Sequence, residues 1–303
     1  MKKILILLLF VSSVHAKIKV AITVDDLPTH AELPVGVTRE QVATKMLTAL
    51  KKHKVVEAYA FINAGKVDEN QQSFEVLKLW QAAGYSFGNH TYRHEDLNQV
   101  KLDNFFAAIT KNEPMLKKLS SRENWRYFRY PFLREGDTLK KRNAVRDFLK
   151  KRKYQIAQVT IDFEDWSWNN PYARCKKKNE SQALLWLKNT YLQNAIDQLE
   201  RAEKLSQALF NRSIPHILLL HIGAFDAEMT DALLSAYKAR GVDFISLEEA
   251  AKDKVYDFDP AIVDKRGSEF TYQVLRSRHL TLQDIGMAAY TAYPEDELGK
   301  ICQ

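Results

Sequence analysis

Short β-branched or aromatic runs alternate with longer segments whose apolar residues recur at helical spacing, and this alternation restricts the chain to few architectures. The runs Ile18–Val24, Val55–Ile62, Tyr85–Gly88, Tyr127–Tyr130, Gln155–Ile161, His216–His221 and Val242–Ser246 read as strands. Between them, Arg39–His53, Gln72–Ala83, Leu102–Leu119, Thr138–Lys153 and Ser181–Phe210 read as helices. Strands separated by helices form a parallel sheet covered on its outer face. Seven of them in 303 residues predict an α/β fold, a distorted (β/α) barrel of about seven parallel strands, since such barrels run to about 250 residues. Trp166–Asn179 reads as an elaborated loop, and after Val255 the alternation decays into an extension of about 50 residues that packs on the barrel.

The expected organisation is a leader at 1–16, a barrel domain at 17–254 and a C-terminal extension at 255–303. Lys2 and Lys3 precede the apolar run Ile4–Val11, and Val14-His15-Ala16 offers small residues for cleavage, the layout of a secretory signal peptide. No later stretch approaches the ~20 apolar residues of a membrane span. An exported protein, periplasmic or secreted, is expected. In an oxidising compartment Cys175 and Cys302 invite a disulfide, two buried free thiols being the alternative. With 46% hydrophobic and 27% charged residues the chain is not disordered, and its net charge of +7 suits an anionic partner. It has no RRM, zinc-finger or helix-turn-helix signature, so nucleic acid is not the expected partner. The eight basic residues of Thr138–Lys153 read as a solvated face.

Five clusters close or follow the strands, where a parallel barrel gathers its functional groups. Thr23-Val24-Asp25-Asp26-Leu27-Pro28 sets two carboxylates pointing in different directions, one for a metal and one for a base. In His90-Thr91-Tyr92-Arg93-His94, an i, i+4 pair on a helical turn brings both imidazoles to one face, and with Asp26 completes a set that leaves coordination positions open. Phe128-Arg129-Tyr130-Pro131-Phe132 offers an arginine able to orient a carboxylate. Asp162-Phe163-Glu164-Asp165-Trp166 puts acids beside an aromatic that stacks on sugar rings, and Leu218-Leu219-Leu220-His221 ends in a histidine suited to acid work.

In their order along residues 17–250, Asp25-Asp26, His90-x3-His94, Arg129-x-Pro131-Phe132, Asp162-x-x-Asp165-Trp166 and Leu219-x-His221 resemble the five motifs of the polysaccharide deacetylases, the NodB-homology carbohydrate esterases. The resemblance implies a NodB-like barrel with a C-terminal extension, in which Asp26, His90 and His94 bind a divalent metal, typically zinc. It further implies Asp25 as the base toward metal-bound water and Arg129 as its anchor. Phe132 would supply a backbone N–H to the oxyanion, His221 would protonate the leaving amine with Asp165 orienting it, and Trp166 with Tyr130 would border the sugar groove. The implied activity is metal-dependent removal of N-acetyl groups from a polysaccharide. Peptidoglycan N-acetylglucosamine leads; chitin or another surface polysaccharide, or a non-catalytic carbohydrate-binding protein on the same scaffold, are the alternatives. The chain departs from the family at Val24 (usually aromatic), Leu27 (usually Gly) and Phe132 (usually Tyr), and Leu27 is expected to reshape the groove beside Asp25.

Overall fold

A computed structural model describes residues 17–120, 123–289 and 293–303; the expected leader lies outside the described residues. The strands are β1 (Ile18–Leu27), β2 (Ala58–Ile62), β3 (Phe87–Asn89), β4 (Tyr127–Phe128), β5 (Gln155–Ile156), β6 (His216–His221) and β7 (Val242–Ile245). All pair in parallel in the order β5-β4-β3-β2-β1-β6, with β7 joined to the first half of β1. The segment from Gln155 to Ile161, expected as one strand, pairs with β4 only at its start. At its end Leu219 N donates to Ile161 O and Thr160 N to Ile217 O, so the sheet curls back on itself as a distorted (β/α) barrel.

Register decides where the chemistry lands. Asp25 pairs with His221, Leu27 with Ile62, Ile62 with Asn89, and Asn89 with Phe128. The residues that follow these pairs therefore emerge at one level, at the C-terminal mouth. Below them β1 is the buried spine from Val20 onward, with Val20, Val24 and Leu27 all at 0% exposure. A strand buried on both faces reads as a near-continuous apolar run, as Val20–Val24 does with Thr23 as its one polar residue. The helix Arg39–Lys52 covers it, started by a capping box in which Thr38 accepts from Gln41 N and Gln41 answers the Thr38 backbone. Its buried residues Val42, Ala43, Met46, Leu47 and Leu50 recur at the 3–4-residue spacing of one helical face.

Three expectations fail here. Leu27 does not reshape the groove, because its side chain turns into the main apolar cluster. Trp166–Asn179 is no loop: a tight helical turn at Asp165–Trp168 runs into a helix at Asn169–Lys178. That helix buries Asn169, Pro171, Ala173 and Cys175, positions two residues apart that carry no helical repeat, so the sequence gives no helix period here. The helix Leu139–Lys151 is not simply a solvated face either. Arg142 is fully buried and, with Arg146, meets Glu135 and Asp259.

The last residues are tied down. Cys175 and Cys302 form a disulfide with Cα atoms 5.1 Å apart, and Arg174 donates to the carbonyls of Leu298 and Ile301. The bond spans 127 residues, so it removes considerable chain entropy from the unfolded state. Cys302→Ser is expected to lower unfolding stability by about 2–4 kcal/mol in urea titration. Adding a reductant to the wild type should abolish the difference between the two.

Candidate active site

The loops at the mouth are shaped by buried amides before any chemistry is placed. Asn112 donates to Ile62 O and Asn89 Oδ1, while its own Oδ1 accepts from Ala64 N. Asn63 donates to the carbonyls of His90 (2.6 Å) and Thr91 (3.1 Å), and Asn89 Oδ1 accepts from Thr91 N. These bonds replace the helical turn expected for His90–His94. Thr91 and His94 instead adopt left-handed backbone, each at φ 63°, and bring the two rings to 4.8 Å. The i, i+4 spacing was correctly read as a pairing, but the loop rather than a helix produces it.

One donor atom from each of Asp26, His90 and His94 lies within 4.8 Å of the others, the only such cluster of three metal-capable side chains among the described residues. His90 Nδ1 donates to Arg129 O at 2.8 Å, which fixes the tautomer and leaves the Nε2 lone pair facing the carboxylates. Burial holds His90 well below the usual histidine range, with His94 adding to the effect, and burial lowers His94 too. Two neutral imidazoles and one carboxylate suit a divalent ion. Burial raises the Asp26 carboxyl, but Lys66, His30 and His94 outweigh it and keep it well below the carboxylate range, so it is ionised.

Asp25 is held by Arg129, with its Oδ2 also 3.6 Å from His90 Nε2. Both its oxygens lie 3.1 Å from Arg129 Nη1, whose Nη2 reaches Thr23 Oγ1 and whose Nε reaches Ala157 O. Burial pushes Asp25 up to about 6, against the pull of Arg129 and His221 and with some help from Asp26. A buried carboxyl near 6 is well matched to accepting a proton at neutral pH. Across the pocket, His221 Nδ1 donates to Asp165 Oδ1 and His221 N to Asp165 Oδ2, each at 2.7 Å. Burial opposes the charge on His221, but Asp165, then Asp26 and Asp25, raise it to about 10. It is a proton donor at neutral pH.

These groups line a cavity of about 420 Å³. Trp166 and Phe132, 43% and 50% exposed, form aromatic edges at its mouth; Phe132 stands edge-on to His94 at 4.5 Å. Tyr130 reaches the cavity from beneath and is itself buried against Phe105 and Phe128. Four further contributors were not read from the sequence. His30 Nδ1 donates to Asp26 Oδ2 at 2.7 Å and its ring sits 4.9 Å from that of His221. Lys66 reaches Asp26 Oδ1 at 3.1 Å. Its place just past the C-terminal end of β2 was a usable signal. Glu269 and Gly267 come from the extension, where no periodicity betrays them. Burial and then Asp162 push Glu269 up to about 8. A Cβ on Gly267, at φ 82°, would lie 2.0 Å from Phe132 O, so only glycine lets the extension close this wall.

Residues 13–157 match the polysaccharide deacetylase family model. The chain carries a polysaccharide deacetylase region. A peptidoglycan-N-acetylglucosamine deacetylase from Bacillus cereus is 28% identical over 156 residues, 51% of this chain and 49% of that protein. The match thus spans about half the length of that curated relative. Among solved structures, a peptidoglycan deacetylase from Bacillus subtilis superposes with a TM-score of 0.52 at 21% identity, covering 78% of this chain and 93% of that one. A CE4 family pseudoenzyme from Bacillus anthracis gives a TM-score of 0.52 at 20% identity, over 78% and 66%. These neighbours share the barrel fold of this chain.

The His221–Asp165 pair has a pH signature. His221 is raised from 6.5 to about 10, so its contribution to stability is complete below pH 6.5 and is lost as pH rises through 10. Asp165→Asn lacks it throughout. In urea unfolding, wild type and variant are expected to differ most below pH 6.5 and to converge toward pH 10; a gap that is constant with pH would refute the assignment.

Proposed function

We propose that this protein is a metal-dependent deacetylase of N-acetylated amino sugars in a polysaccharide, with peptidoglycan N-acetylglucosamine as the leading substrate. One observation carries the reading: the Asp26, His90, His94 cluster shares a single cavity with a carboxylate–arginine pair on one side and a histidine–aspartate pair on the other. Because the same barrel also serves a pseudoenzyme, the side chains and not the fold support turnover.

Zinc held by Asp26, His90 and His94 would polarise the acetyl carbonyl and lower the pKa of water. Asp25, ionised above about pH 6, takes the proton from the attacking water, and Arg129 keeps its oxygens aimed into the cavity. The Phe132 N–H, presented by a backbone at φ 57°, stabilises the developing oxyanion. His221 delivers its Nε2 proton to the departing amine nitrogen while Asp165 holds Nδ1. Trp166 and Phe132 stack on the sugar ring, and Tyr130 lines the cavity beside them.

Residues 17–254 act as the deacetylase domain in this reading, and 255–303 as an extension completing the groove. The leader at 1–16 directs export to the periplasm or outside the cell, consistent with an envelope polymer and with the disulfide. Among the described residues no helix is long and apolar enough to cross a membrane.

Purified protein given acetylated peptidoglycan and chitin oligomers is expected to release acetate, and a chelator should stop it. Bound metal with no acetate from either polymer would favour the carbohydrate-binding alternative. Asp25→Asn should retain one metal equivalent while kcat falls by about 10²–10⁴-fold. Turnover unaffected by that change would move the base elsewhere.

A further inference from the structure

The proposed metal carboxylate already has a cation beside it. Lys66 Nζ lies 3.1 Å from Asp26 Oδ1, 3.2 Å from Asp26 O and 2.9 Å from Thr29 O. An ammonium has three N–H donors and no acceptor, so these three oxygens saturate it. Two of them are carbonyls of one turn, closed by Thr29 N donating to Asp26 O at 3.0 Å. Lys66 itself begins in the short helical turn Gly65–Glu69, where Gly65 N is bound to Tyr92 O. Both ends of the contact are therefore fixed by backbone, and the side chain is only 22% exposed.

The other Asp26 oxygen is also occupied. His30 Nδ1 donates to Oδ2, and the loop carrying His30 is pinned by Arg39, which reaches the carbonyls of His30 and Ala31 at 2.6 Å each. That leaves Oδ1 as the oxygen turned toward His94 Nε2 (3.6 Å) and His90 Nε2 (3.9 Å). A divalent ion among those donors would share Oδ1 with an ammonium that has no better place to go.

We propose that Lys66 is a built-in counter-cation that weakens this site's hold on its metal, with His30 restricting Asp26 to one-oxygen donation, so that the metal is exchangeable. The proposal rests on the reading of Asp26, His90 and His94 as ligands. In the absence of metal Lys66 also balances the buried Asp26 carboxylate and keeps the site folded. The plainer alternative, a lysine that merely caps the carbonyls of a turn, predicts no gain in metal affinity on its removal.

Zn2+ affinity of the whole protein is measured by competition with a chromophoric chelator in wild type, Lys66→Met, Lys66→Gln and His94→Ala. Both Lys66 variants are expected to bind Zn2+ at least tenfold more tightly, about 1.4 kcal/mol, and to melt at lower temperature when metal-free. His94→Ala is expected to lose the ion; wild-type affinity there would sink the ligand reading itself. With His94→Ala impaired, unchanged or weaker Zn2+ binding in either Lys66 variant overturns the counter-cation. Should the variants fail to fold, a zinc-loaded crystal structure of the wild type decides: Lys66 Nζ still bonded to Asp26 Oδ1 beside the ion supports the proposal, and Lys66 swung away from that oxygen refutes it.

Discussion

A single buried guanidinium ties the mouth of the barrel together. Arg129, 1% exposed, leaves the end of β4, donates to Ala157 O beyond β5, and meets Asp25 and Thr23 on β1, while its face covers the Phe61 ring of β2 at 4.7 Å. Thr23 passes the connection on to Leu218 O of β6. Five strands and one candidate base are thus referenced, directly or through Thr23, to one side chain. A buried ion pair adds little net stability, but removing one partner strands the other charge at a cost of about 3–5 kcal/mol. The interaction is therefore better understood as fixing geometry: it keeps a carboxylate ionisable where burial alone would neutralise it.

Around that anchor, the site is built on backbone that ordinary residues avoid. Asp26, Thr91, His94, Phe132, Leu133 and Glu164 all have φ between 53° and 70°. Left-handed conformations in non-glycine residues cost on the order of 1–3 kcal/mol each and persist only where their surroundings enforce them. Here the Asn63, Asn89 and Asn112 amides hold the histidine loop, and the extension, admitted by Gly267, backs the Phe132 turn. Strand ends at one level, strained turns above them and buried amides between form one causal sequence. The candidate ligands, base and acid converge on one cavity because the supports converge first.

The two histidine–carboxylate hydrogen bonds at the cavity, His221–Asp165 and His30–Asp26, do opposite things. Asp165 lies under His221 and makes it a stronger base, so that it carries a proton at neutral pH. His30 and Lys66 lie on Asp26 and draw on the same oxygens a metal would use. One carboxylate is spent on charging a histidine, the other is shared between donors, and the difference lies in which element faces each.

The sequence by itself determined the alternation that makes a parallel barrel, the positions of its strands to within a few residues, and the five clusters at their ends. These are legible because strand and helix leave local periodicities and because the barrel rule sends strand-end residues to one mouth. Adjacency also set Asp25 and Asp26 apart, since neighbours on a strand point in different directions, while the choice of Asp26 as ligand and Asp25 as base is what the family resemblance implies. Tertiary structure alone decided the rest. The reach of Arg129 to Asp25 spans 104 residues, and the disulfide between Cys175 and Cys302 spans 127. Lys66 comes to Asp26 across 40 residues, and His30 bends back four residues to the same carboxylate through a loop with no regular repeat. Gly267 meets Phe132 from an extension with no pattern at all. Such contacts depend on register and packing between distant segments, which leave no periodic trace in the chain, and they decide how the motifs are charged and aimed.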